Sequence, residues 1–113
     1  MKRGEIWWAD LGDNPIGSSP GYLRPVLVVQ SDLLNKSQLS TCIVVSLTTN
    51  LNHARAVGNV PIRARESGLP KDSVIVVAQL SAIDRTQFVE KISCVPDTIL
   101  FSVDEGLRTV LDL

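Results

Sequence analysis

Gly17-Ser18-Ser19-Pro20-Gly21-Tyr22-Leu23-Arg24-Pro25-Val26-Leu27-Val28-Val29 is the stretch on which the reading of this chain turns. Its second half is an unbroken β-branched and aliphatic run, which predicts a strand from Pro25 to Ser31 buried on both faces. Its first half belongs to a Gly-, Pro- and Ser-rich segment from Gly12 to Leu23. That segment reads as a loop about twelve residues long, enough to suggest a functional role. Arg24 stands where loop meets strand, a permanent cation on a rigid edge beside small hydroxyl and backbone donors. Such a site suits a phosphate.

Working outward, Glu5–Leu11 predicts a first strand, Thr41–Thr48 a third buried one, and Ser73–Ile83 and Val89–Val95 two more. Asn59–Ala64 alternates weakly and reads as a short strand. Asp32–Ser40 is polar, with room for one helical turn. Thr49–Gly58 is a polar loop holding the single histidine, His53, read as solvated. Glu66–Asp72 and Asp84–Gln87 read as turns.

Pro96–Leu111 predicts the one substantial helix, with Pro96 at its first position and Asp97 complementing its dipole. Its apolar face is Ile99, Val103, Leu107, Val110 and Leu111. Gly106 is expected to weaken it by about 1 kcal/mol relative to Ala. Strands followed by one terminal helix predict a mainly β (α+β) domain, a strongly curved antiparallel sheet or barrel.

The chain has 113 residues, 44% hydrophobic and 20% charged, the make-up of a single globular domain spanning 1–113. A net charge of -1 argues against a bulk basic nucleic-acid coat, so any nucleic-acid binding must be local. Cys42 and Cys94 lie in apolar runs and are expected to be reduced core residues. No apolar segment has the length of a membrane span or the form of a signal, so a cytoplasmic protein is expected. No His, Cys or carboxylate group has ligand spacing, so neither metal nor cofactor is expected. A nucleophilic Ser or Cys would have only His53 as its base. What remains is Arg24, Ser18 and Thr48. If their strands pair antiparallel, Arg24 and Thr48 emerge at one sheet edge. Read blandly, the same residues are an exposed charge, a loop serine and a strand-end cap.

Four ordered segments resemble the MazF/PemK family of toxin endoribonucleases. They are Arg3-Gly4-Glu5-Ile6-Trp7 through Asp10-Leu11, then Gly17-Ser18 leading to Arg24–Val29, then Ile43–Thr48, then Gly68–Val74 through Gln79–Asp84. Val103-Asp104-Glu105-Gly106-Leu107 closes the series.

The resemblance implies an SH3-like antiparallel β-barrel (CcdB/PemK-like) with short helices and a C-terminal α-helix, working as a homodimer restrained by a cognate antitoxin. It implies metal-independent, sequence-specific cleavage of single-stranded RNA, with mRNA the expected class. It makes Arg24 the main catalytic residue, Thr48 its partner at the scissile phosphate, and Ser18 part of a loop closing over the RNA. Arg24 then acts as charge stabiliser and proton donor to the leaving 5'-oxygen, because a protonated guanidinium has no lone pair with which to serve as a base. Candidate RNA contacts are Ser19, Tyr22, Thr49, Asn50, Arg55 and Gln79.

Trp7 and Trp8 point to opposite faces, one into the core and the other toward a base or a dimer interface. The chain departs from the family pattern at Ser19-Pro20, Ala78 and Ser81, where charges are common, and Val95-Pro96 lacks a capping serine. Two alternatives stay open: a gyrase-inhibiting toxin of the same fold class, and an RNA-binding barrel with weakened catalysis.

Overall fold

The computed structural model describes residues 1–12 and 23–113. Six strands form one antiparallel sheet: β1 (Glu5–Asp10), β2 (Leu23–Val28), β3 (Thr41–Thr48), β4 (Val60–Ile62), β5 (Ser73–Asp84) and β6 (Phe88–Cys94), in spatial order β4-β5-β3-β2-β1-β6. Helical pieces are α1 (Asp32–Asn35), α2 (Ala64–Ser67) and α3 (Asp97–Leu111), with 3-10 turns at Leu51–Arg55 and Arg85–Gln87.

The apolar runs of β2 and β3 are explained by burial on both sheet faces. Leu27, Val45 and Leu47 join Ile6, Ile75, Val77 and Val103 in the main core, which α3 covers by packing across β4 and β5. Val26, Val28, Cys42 and Val44 face the other way, into a second cluster with Ala9 and Ile83. Each fully buried Val or Leu contributes about 1.5–3 kcal/mol, so these two strands anchor both layers. Trp7 packs on the second cluster, edge-on to Phe88 at 5.6 Å between ring centres, and Trp8 packs on the first. Both indoles are half-buried, so neither is the wholly interior one expected.

The β2–β3 connection is held by a buried amide pair. Gln30 Nε2 donates to Asn35 Oδ1 at 2.9 Å, and Asn35 Nδ2 donates to the Gln30 carbonyl at 3.0 Å. Gln30 Oε1 accepts from the Ile43 N–H at 3.2 Å, in place of a ladder partner. Ser31 caps α1, its hydroxyl accepting from the Leu33 N–H.

Strand boundaries fall within two residues of expectation, except that β2 ends at Val28, before Ser31. Three sequence expectations change. Pro96 is the N-cap of α3 rather than its first helical residue, and no side chain caps that end. The buried face of α3 is Ile99, Leu100, Val103, Gly106 and Leu107, and Val110 and Leu111 are exposed. Cys42 is buried but Cys94 is exposed, since β6 is a sheet edge. Among the described residues no helix is long and apolar enough to cross a membrane.

Among the described residues Glu5 is the one buried carboxylate, 7% exposed. Burial alone pushes its pKa up. The Lys91 ammonium at 2.9 Å, the Trp7 indole N–H at 3.0 Å and the Lys2 N–H at 2.8 Å outweigh burial and hold it below the ordinary value. A carboxyl depressed on folding stabilises the fold above its unfolded pKa of about 4.3, and that stability is lost as pH falls through the folded value. Chemical denaturation of Glu5→Gln from pH 7 to 3 is therefore expected to show a weaker acid dependence than the parent. An equal slope in both would refute this.

Candidate phosphate-binding cleft

Antiparallel pairing sets Val26 opposite Ser46, Leu27 opposite Val45 and Val28 opposite Val44. The next positions on the Val26–Ser46 face are Arg24 and Thr48. The ladder stops at Val26–Ser46, and the strand ends beyond it open into a cleft of about 700 Å³ that Arg24 and Thr48 both line. The guanidinium side chain is exposed, and its Nη1 donates to the Leu23 carbonyl at 3.2 Å. Thr48 Oγ1 accepts the Asn50 N–H at 3.1 Å, a local turn that occupies one lone pair. Its own O–H is thereby left to donate to a ligand in the cleft.

Three more elements complete the walls. The α2–β5 turn supplies Leu69, Pro70 and Lys71, because Val74 pairs with Thr48 and carries the preceding residues to the same end. Trp8 comes from β1, paired with Pro25 of β2. Gln79 comes from an irregularity in β5. Ser46 pairs with Val76 but Val45 pairs with Leu80, so Val77, Ala78 and Gln79 bulge from the ladder. Bulges commonly re-aim side chains beside functional sites. Two cations, several hydroxyls and an indole face suit a chain with anionic links and flat rings.

Of the residues expected from sequence, Arg24, Thr48, Thr49 and Gln79 line this cleft. Asn50 borders it through its bond to Thr48, and its side chain accepts from the Asn52 N–H. Arg55 is exposed at the end of the 3-10 turn and is not among the lining residues. Ser18, Ser19 and Tyr22 lie outside the described residues. Lys71, Ser46 and Pro70 were not singled out from sequence. None carries a local signal of such a role: Ser46 sits inside a strand, and Pro70 and Lys71 reach the cleft only through the register of β5.

The model of the PemK-like, MazF-like toxins of type II toxin–antitoxin systems matches residues 2–111. The chain belongs to this PemK/MazF toxin family. It is 44% identical over 113 residues to the endoribonuclease MazF6 of Mycobacterium tuberculosis, covering 100% of this chain and 98% of that protein. It is 37% identical to the endoribonuclease EndoA of Bacillus subtilis, covering 100% and 96%. Among solved structures, a mycobacterial endoribonuclease in complex with its cognate antitoxin superimposes with a TM-score of 0.81 at 18% identity, covering 100% of this chain and 96% of that one. The M. tuberculosis toxin MazF-mt6 gives 0.79 at 21% identity, covering 96% and 97%. These superpositions show that the curled antiparallel sheet and its terminal helix are the PemK/MazF fold.

Proposed function

We propose that this PemK/MazF chain is a metal-independent endoribonuclease that cuts single-stranded RNA, with mRNA as target, in the cytoplasm. The observation that carries the reading is the meeting of Arg24 and Thr48 at the open end of the β2–β3 ladder. RNA brings its own nucleophile, the 2'-hydroxyl. The 2'-hydroxyl gives its proton to solvent as its oxygen bonds to phosphorus, the bond to the 5'-oxygen breaks, and the leaving oxygen takes up a proton, so none is gained or lost overall. Negative charge grows on the non-bridging oxygens, and preorganised donors stabilise it most effectively. Arg24 presents paired N–H donors to that charge, gives a proton to the leaving oxygen and regains one from water. Thr48 adds one donor, its lone pair already engaged by Asn50. Gln79 and Thr49 line the same cleft, which supports assigning them to the bases or their sugars. By the family resemblance Ser18, Ser19 and Tyr22 are assigned to contact the RNA, and Asn50 and Arg55 to guide its backbone.

Purified protein incubated with a long mixed-sequence RNA in EDTA is expected to cut at a short recurrent sequence. The ends should be 2',3'-cyclic phosphate and 5'-hydroxyl. Intact RNA at every site, or cleavage that requires added metal, would overturn the reading.

The same reading includes two protein partners. Arg24 and Lys71 in the cleft lining favour an antitoxin with an acidic segment that orders on binding, in line with the antitoxin complex of the structural relative. A homodimer is supported by β5. Its residues Ala78–Ala82 are exposed and uncharged, and they run beyond the part that β4 pairs, Ser73–Ile75. An uncharged free strand edge invites pairing, and a second copy of the chain satisfies it symmetrically.

A further inference from the structure

The β5 bulge that sends Gln79 into the cleft is held by one side chain outside the cleft's lining. Asn59 Oδ1 accepts the Val77 N–H at 3.0 Å, at the first residue to leave the ladder. Asn59 Nδ2 donates to the His53 carbonyl at 2.9 Å, on the 3-10 turn that follows Thr48 and Thr49. One half-buried amide therefore ties the bulge to the segment leaving the other cleft wall. It is itself well anchored. Its N–H donates to the Ala56 carbonyl at 3.2 Å, and the preceding Gly58, at φ +89°, lies directly against Gly106 of α3.

A three-residue bulge has no ladder bonds of its own to define it. Without an acceptor for Val77, the displaced residues can slide back toward register, and Gln79 then turns off the cleft. We propose that Asn59 is a positioning residue: it locks the Val77–Gln79 bulge so that the Gln79 amide can read a base edge. The inference rests on the RNA-cleavage reading above and adds to it the determinant of sequence choice.

The test compares Asn59→Ala, Asn59→Asp, Gln79→Ala and Asn59→Ala/Gln79→Ala, each as full-length protein with a matched melting profile. The readout is the ratio of cleavage rates at the preferred sequence and at single-base variants of it. Losing a paired amide–base contact lowers such a ratio by about tenfold. Gln79→Ala and Asn59→Ala are each expected to do so, and the double variant to be no worse than Gln79→Ala, since both act through one contact. Asn59→Asp keeps the acceptor for Val77 and should retain most of the discrimination, which also secures the test if the alanine variant folds poorly. Amide exchange at Val77–Gln79, read without RNA, should quicken in Asn59→Ala. Unchanged exchange, or a double variant whose losses multiply, would overturn the proposal. A parent protein that leaves all RNA intact would instead overturn the nuclease reading, whatever the exchange rates show.

Discussion

Arg24→Ala is expected to cut RNA about 10²–10³-fold more slowly than the parent while melting at nearly the same temperature. The two halves of this expectation have separate causes. The side chain is exposed at the start of β2, and truncating such a residue typically changes stability by no more than about 0.5 kcal/mol. The neighbouring core, Val26 to Val28, is untouched. Catalysis differs because charge develops on the phosphate at the cleft that Arg24 lines. Losing one preorganised donor there costs about 2.7–4 kcal/mol of barrier. Arg24→Lys should recover only part of the rate, since an ammonium keeps the charge but lacks the planar fork. Single-turnover cleavage of a short RNA carrying the preferred site measures this directly. A rate within tenfold of the parent, in protein of equal stability, would remove Arg24 from the reacting centre.

Gly106→Ala is expected to destabilise the fold by about 2 kcal/mol or more, the opposite of what helix propensity alone predicts. In an exposed helix interior the change would gain about 1 kcal/mol. Here a Cβ would fall well inside contact distance of the Gly58 carbonyl oxygen, with the Gly58 carbonyl carbon at 3.2 Å and Val77 Cγ2 at 3.3 Å. The obstacle is backbone, which cannot rotate away. Either α3 lifts from the sheet or the Gly58–Asn59 loop moves. Overpacking of this kind costs about 1–3 kcal/mol or more, enough to reverse the propensity gain. For a domain of this size a melting temperature lower by about 10 °C follows. Equal or higher stability in Gly106→Ala would show that α3 does not approach the loop this closely. Because the same loop carries Asn59, a shifted Gly58 should also blur cleavage-site preference.

These two residues mark what was legible before any coordinates. Arg24 stood out because a lone cation between a Gly- and Ser-rich loop and an apolar run is a local pattern. Thr48 stood out as the polar end of another such run. Their convergence needed only antiparallel pairing of adjacent strands, and β2 and β3 do pair so. Gly106 carried the opposite lesson: its locally correct reading as a helix weakener omitted the loop lying against it. Cys94 looked like core because its neighbours are apolar, yet β6 is an edge strand and leaves it exposed. Lys71 and Asn59 gave no signal, since one enters the cleft through the β5 register and the other acts on a bulge that no periodicity announces.

By itself, then, the order of residues determined which segments are strands, that one substantial helix follows them, and which cation and hydroxyl stand at strand ends. Those properties follow from short-range sterics and from the spacing of apolar side chains, and both are written within a few residues of each other. Only the tertiary structure decided which face of α3 is buried, where β5 leaves its ladder, and which distant side chains wall the cleft. Such contacts join residues far apart in the chain, and their geometry depends on the register and curl of the whole sheet.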